Sequence, residues 1–329
     1  MDGSWIGSLV YFGIGVLLLV KGADYFVEGA RGLAERLQVS KAFVGFTIIS
    51  LGTSIPEFVV NMNAFLFGIP DIATGNIFGS NIANILLILG ISATIYPLVA
   101  KRATVLKEIP FSLLAALLVG ITANDVFLDG ASSSMISRVD GLLFIAFFII
   151  FLYYTFGIAR VGNEDIGNAG DIKHYGYGKS ILFIILGLIG LVIGGKWIVD
   201  GAIIAAEALH VSQSLIGLTV VAIGTSLPEL ATSAVAAYKK HADIAIGNVV
   251  GSNIFNVFWI LGFSAVLRPL PFQPASNIDV AVAVIASLIL FVSMYIGKRH
   301  ILERWQGACM IMMYVAYIGF LIASQSWRA

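Results

Sequence analysis

The sequence predicts an all-α membrane protein: ten transmembrane helices as two inverted five-helix repeats, with broken second and seventh helices. Three observations carry this. The 329-residue chain is 59% hydrophobic and only 12% charged, where soluble domains average roughly 45–50% apolar and 25% charged. Apolar stretches of spanning length follow one another with short polar breaks. Finally, residues 45–98 align without gaps on residues 217–270, at a constant offset of 172 (225 − 53), with 25 identities in 54 positions.

A spanning helix needs about 20 mostly apolar residues. On that measure the spans fall at residues 5–30, 42–67, 71–95, 108–123, 139–159, 179–206, 213–238, 243–266, 277–297 and 306–325. The first follows "MDGSW", with no basic segment and no small-residue cleavage pattern, and reads as a retained span rather than a signal peptide. The chain divides into an N-terminal repeat (residues 1–160), a linker (161–178) and a C-terminal repeat (179–329). The polar stretch around that linker, "RVGNEDIGNAGDIKHYGYGK", is rich in Gly and Asn and reads as flexible.

An odd number of spans in each half forces the second half to enter the membrane in the opposite sense, an architecture that places a site at the midplane between repeats. Charge tests the arrangement, because cytoplasmic loops carry the excess of Lys and Arg. With the N-terminus outside, 14 of the 19 Lys and Arg fall on inner loops. Three, Arg138, Arg268 and Arg328, fall outside, and Lys21 and Lys196 lie within spans. The linker is therefore expected to be cytoplasmic. Zero net charge gives no basic face for nucleic acid. The single Cys309 excludes an internal disulfide and a cysteine-based zinc site.

The stretch "GTSIPEFVV" (52–60) returns as "GTSLPELAT" (224–232), each inside an apolar span. A glutamate at bilayer depth costs roughly 2.5 kcal/mol or more. Glu57 and Glu229 occupy equivalent positions of inverted halves, so they are expected to meet near the midplane, where two bare carboxylates repel and a cation relieves them. Pro56 and Pro228 have no N–H to offer the carbonyls of Gly52 and Gly224, and their rings crowd those carbonyls. Each helix should kink or break there, and freed backbone is tolerated at such depth only around a polar cavity. Thr53, Ser54, Thr225 and Ser226 add hydroxyl oxygens on the same turns. Hard oxygen donors around two negative charges suit Ca2+ or Na+.

A second pair follows: "GNIFGSNIANILLILG" (75–90) and "GNVVGSNIFNVFWILG" (247–262). Ser80 and Asn84 share a helix face, as do Ser252 and Asn256. The glycines at 75, 79, 247 and 251 are expected to admit a neighbouring helix closely.

These paired blocks resemble the two α-repeats of the cation/Ca2+ exchanger superfamily, most closely its prokaryotic Na+/Ca2+ exchanger branch, and the resemblance spans the whole chain. It implies a secondary active antiporter, not an enzyme, with no cofactor, that exchanges Na+ for Ca2+ by alternating access in a prokaryotic (inner) cell membrane. It also implies a diamond of four cation sites among the second, third, seventh and eighth spans. Glu57 and Glu229 would be the central ligands, and Thr53 and Thr225 would give carbonyl oxygens. Ser80 and Ser252 would hold flanking Na+ with the carbonyls of Ser50 and Ala222, and Asn84 and Asn256 would line the middle. In the family the first and sixth spans slide to switch access. Ca2+, Na+ and the lipid bilayer are then the partners, and no obligatory protein partner is evident. Some relatives carry aspartate at the position of Asn256. With amides at both middle positions the site holds two formal charges, which one Ca2+ balances. About 3 Na+ would leave one positive charge and make exchange electrogenic. K+-dependent Na+/Ca2+ exchange and H+/Ca2+ exchange are the alternative couplings.

Elsewhere, Asp71 and Asp243 read as helix N-caps, and Glu28 and Asp200 as interfacial or ion-paired acids. Trp5, Trp305 and Trp327 read as interfacial anchors. His174, His210, His241 and His300 lie in or near loops without metal-ligand neighbours. A channel would also use oxygen rings, but one chain already carries both halves of a closed site. An intramembrane hydrolase would need a nucleophile and base that no span supplies.

Overall fold

The computed structural model describes residues 4–66, 70–159, 175–208 and 222–326. Most of the linker and the first part of the predicted seventh span, residues 213–221, lie outside these, as do Trp327, His174 and His210. In chain order the long helices are α1 (Ser4–Leu37), α2 (Lys41–Thr53), α3 (Ile55–Leu66), α4 (Pro70–Ile82, continuing through Ala83–Leu89 and Gly90–Ile95), α5 (Thr104–Thr122), α6 (Arg138–Ala159), α7 (Tyr177–Ala208), α8 (Ala222–Thr225), α9 (Leu227–Tyr238), α10 (Ala242–Leu267), α11 (Asn277–Ser293) and α12 (Arg304–Ser326). Among the described residues seven helices are long and apolar enough to cross a membrane, and the bent pair α2–α3 makes an eighth if it counts as one.

α4 and α10 form the centre. About four-fifths of each is buried (78% and 83%), against 22% for α7 and for α12. Outer helices show bilayer-facing apolar side chains, such as Leu182, Ile185 and Ile189 on α7. Inside a bilayer, packing rather than hydrophobicity holds helices together. Accordingly α1 and α7 lie along one another with backbones nearly touching. A Cβ on Gly22 would sit 2.7 Å from the Leu191 nitrogen, and one on Gly194 would sit 2.6 Å from the Leu19 nitrogen. An aromatic knot ties the central helix to its neighbours, with Phe258 of α10 meeting Phe111 of α5 at 5.3 Å edge-on and Phe147 of α6 at 5.5 Å stacked.

Two short antiparallel ladders close the ends. β1 (Leu98–Val99) pairs with β4 (Ile301–Leu302), and β2 (Met135–Ile136) pairs with β3 (Leu270–Pro271). Each joins the N-terminal to the C-terminal half. They are related by the internal repeat down to a single flanking bond: Ala100 N donates to His300 O at 2.8 Å, and Phe272 N to Ser134 O at 3.0 Å.

The acids expected to cap helices do not. α4 starts at Pro70 and α10 at Ala242, each one residue earlier, so Asp71 and Asp243 sit inside the first turn. His241 is the N-cap residue of α10, and its carbonyl accepts from Ile244 N at 3.0 Å. An acid in the first turn still meets the positive end of the helix dipole, and Asp243 also lies 4.0 Å from Lys101. Glu28 is ion-paired: Lys239, just beyond α9, reaches it at 2.8 Å and also pairs with Asp24. Burial alone would lower the Lys239 ammonium, but these two carboxylates hold it above its usual range.

Candidate ion-binding site

The site forms where two helices are interrupted. α2 and α3 meet at Ser54, whose φ −81° and ψ 6° leave the helical region, and their axes diverge by 43°. α8 and α9 meet at Ser226, with φ −90° and ψ 5°. In both places a proline stands two residues on, at position 56 or 228, where it cannot donate into the turn before it. The interruption puts Glu57 and Glu229 in the first turns of α3 and α9, beside helix N-termini that favour negative charge. Both glutamates are buried, at 1% and 0% exposed, so neither charge is solvated by bulk water.

Contacts at the site cross between the two halves, apart from that of Ser252 with Glu229. Ser54 Oγ donates to Glu229 Oε1 at 3.2 Å, and Ser226 Oγ lies 3.4 Å from Glu57 Oε1 and 3.2 Å from Ser80 Oγ. Ser252 Oγ approaches Glu229 Oε1 at 3.5 Å. Thr53 Oγ1 stands 3.0 Å from Asn248 Oδ1, and Thr225 Oγ1 stands 3.3 Å from Asn76 Oδ1. Asn84 Nδ2 donates to Asn253 Oδ1 at 2.9 Å, and Asn256 Nδ2 to Asn81 Oδ1 at 3.0 Å. Four of the predicted ligands carry a buried oxygen without a partner, Glu57 Oε2, Glu229 Oε2, Asn84 Oδ1 and Asn256 Oδ1, and the neighbouring Asn61 Oδ1 and Asn76 Nδ2 are likewise unpartnered. All four are acceptors, two of them charged, and leaving such groups bare costs a folded protein roughly 1–3 kcal/mol each. Bare oxygen acceptors of this kind are the donor set that a hard cation takes.

Ten of the twelve predicted ligands thus have described side chains that meet in this network or border it. Ser50 turns its hydroxyl to its own helix, onto Phe46 O at 2.7 Å. Ala222 opens α8. Their expected part is a carbonyl oxygen, which such a turn leaves unchanged.

Sequence reasoning passed over a second layer. Asn248 Nδ2 donates to Glu229 O at 3.3 Å and to Ser233 Oγ at 2.9 Å, while Asn61 Nδ2 donates to Glu57 O at 2.8 Å. The asparagines at 76/248 and 81/253 are repeat-equivalent amides inside apolar helices, which was the signal available.

The glycine expectation holds for α10. A Cβ on Gly251 would lie 2.7 Å from Ser50 Oγ, and one on Gly247 would lie 3.0 Å from Gly45 Cα, so α10 and α2 are in close contact. Gly75 and Gly79 meet nothing within 4 Å among the described residues. Gly75 is exposed and Asn76 and Thr225 are half-buried, whereas Thr53 and Asn248 are fully buried. Beside α10 the site is sealed by α2.

A family model described as sodium/calcium exchanger protein matches residues 7–157 and 179–323. The chain belongs to the sodium/calcium exchanger family. It is 33% identical over 336 residues to the sodium/calcium exchanger MaX1 of Methanosarcina acetivorans, covering 93% of this chain and 95% of that one. An uncharacterized membrane protein of Methanocaldococcus jannaschii is 37% identical over 311 residues, covering 94% and 97%. A solved structure of the sodium-calcium exchanger NCX_Mj, soaked with Na+ and Sr2+, superposes with a TM-score of 0.81 at 34% identity, covering 96% of this chain and 99% of that one. Exchangers of this family are transporters rather than enzymes.

Proposed function

We propose that this protein is a secondary active antiporter that exchanges Na+ for Ca2+ by alternating access, electrogenically at about 3 Na+ per Ca2+, through the site between Glu57 and Glu229. The observation that carries the reading is the set of four unpartnered buried acceptors, Glu57 Oε2, Glu229 Oε2, Asn84 Oδ1 and Asn256 Oδ1. Two formal charges among hard neutral oxygens match one Ca2+. The hydroxyls of Ser54, Ser80, Ser226 and Ser252 and the carbonyls of Ser50, Thr53, Ala222 and Thr225 extend the donor set to flanking Na+ positions.

The reading includes the architecture. Residues 1–160 and 179–329 are two five-helix repeats of opposite orientation, joined by a cytoplasmic linker at 161–178, with the second and seventh spans broken and the N-terminus outside. The ladders support this parity. β1 and β4 belong to loops that the Lys/Arg bias assigns to the inner side, and β2 and β3 to loops assigned to the outer side. On that topology the closed contact of Gly247 and Gly251 with α2 lies towards the cytoplasm. The membrane is a prokaryotic cell (inner) membrane.

Ca2+ uptake into vesicles loaded in turn with Na+, K+ or acid tests the coupling. Uptake driven by internal Na+ alone is expected. Dependence on K+ or on a pH gradient would move the protein to one of the alternative couplings.

A further inference from the structure

We infer that Asn81 and Asn253 are positioning residues that fix, each across the repeat boundary, which end of the amides at 256 and 84 faces the ion. The inference rests on the ion site proposed above and concerns how that site is made all-acceptor. An asparagine amide has two ends of nearly equal size, one donating and one accepting, and only its hydrogen-bond partners decide its orientation. Here the decision traces to two groups that can only accept. Asn81 Nδ2 lies 3.4 Å from the backbone oxygen of Asn253, and Asn253 Nδ2 lies 3.2 Å from the backbone oxygen of Asn81. A backbone carbonyl takes protons and never gives them. Each of these amides must therefore turn its NH2 to the opposite backbone and its Oδ1 away from it.

The Oδ1 atoms then accept in turn. Asn81 Oδ1 takes the Nδ2 of Asn256 at 3.0 Å, and Asn253 Oδ1 takes the Nδ2 of Asn84 at 2.9 Å. With their NH2 groups held by these bonds, Asn256 and Asn84 turn Oδ1 the other way, and both of these atoms are buried and unpartnered. Were either amide reversed, an NH2 would point at the cation and repel it. All four asparagines are buried, so water cannot substitute for a lost partner. The chain of command crosses between halves twice: residue 81 of the N-terminal half governs 256, and residue 253 of the C-terminal half governs 84. Although 81 and 84 stand on one helix three residues apart, neither orients the other.

Double-mutant cycles on radiolabelled Ca2+ binding to the purified full-length chain test this. Binding is the readout, so the cycle stands or falls separately from Na+ coupling, which vesicle flux measures. Asn81→Leu and Asn253→Leu, near-isosteric and neutral, are each expected to weaken Ca2+ binding about tenfold by freeing the dependent amide. The losses should be coupled across halves: Asn81→Leu with Asn256→Leu should lose little more than the worse single variant, and Asn253→Leu with Asn84→Leu likewise. Asn81→Leu with Asn84→Leu, and Asn253→Leu with Asn256→Leu, should multiply. If a leucine variant fails to accumulate, the alanine variant carries the same cycle. A merely structural role would lower yield and melting temperature without this pattern. Multiplying losses for 81 with 256, or coupling of 81 with 84 instead, would overturn the inference.

Discussion

Ser54 donates a hydrogen bond to Glu229, 175 residues away in the sequence, at 3.2 Å, and Ser226 approaches Glu57 at 3.4 Å in the mirrored contact. Each break in a helix therefore serves the carboxylate of the other half. On the proposed reading neither half owns a complete site, and the two glutamates form one binding unit.

The first prediction follows from that unit. Glu57→Gln leaves a single negative charge to meet a divalent ion in a buried pocket. Losing one member of a buried charge pair costs roughly 3 kcal/mol or more, over about a hundredfold in affinity. Glu229→Gln should be equally severe. Ca2+ binding to the two purified variants checks this, and near-wild-type binding by either would remove the glutamate pair from the site.

The prolines separate stability from transport. Pro56→Ala and Pro228→Ala restore an N–H and remove the ring that crowds the preceding turn, at a first-turn position where proline itself costs little. Both variants should melt no earlier than the wild type in detergent yet transport Ca2+ more slowly, because the turns at Ser54 and Ser226 tighten towards regular helix. Unimpaired flux in both would show that the interruption is dispensable.

Much of this was legible in the sequence because a duplication repeats its own evidence. Glu57/Glu229, Pro56/Pro228 and Ser80/Ser252 stand at one constant offset in apolar helices, where any charge or breaker must have a reason. The bounds of the long described helices were legible for the same reason that hydropathy works at all, since lipid tolerates only closed helical backbone. What escaped was relational. Nothing in the spacing says that Asn81 bonds Asn256 rather than Asn84, because that depends on how two helices from different halves cross. Two-residue strands are too short to leave a periodic signal, and the caps at Asp71 and Asp243 failed because the helices already begin at Pro70 and Ala242, which makes each acid the second helical residue.

Asn256→Asp adds a third acidic group beside Glu57 and Glu229. Three carboxylates in one pocket repel, so the variant should recruit one more cation, either a proton or a monovalent metal ion. Its Ca2+ flux should become sensitive to external K+ or to pH, where the wild type is sensitive to neither. Flux measured with and without K+, over roughly pH 6–8, checks both halves of the statement. A wild type that stalls without K+ would contradict the two-charge site.

His241 gives a pH effect on stability outside the spans. Burial, with Lys41 and Arg31 nearby, lowers its imidazole from the usual 6.5 to about 4. The unfolded chain therefore binds a proton that the folded chain refuses between those values, so this contribution is present above about pH 6.5 and is lost as pH falls towards 4. His241→Gln should flatten that part of the melting-temperature profile in detergent. An unchanged slope would mean that the imidazole is charged in the folded protein.

The claim beneath all of these is obligatory exchange at one site. Ca2+-loaded liposomes carrying the purified protein, diluted into Ca2+-free medium containing either Na+ or choline, test it most directly. The account predicts rapid Ca2+ release into Na+ and retention in choline. Release into choline at a comparable rate would identify a channel and contradict it.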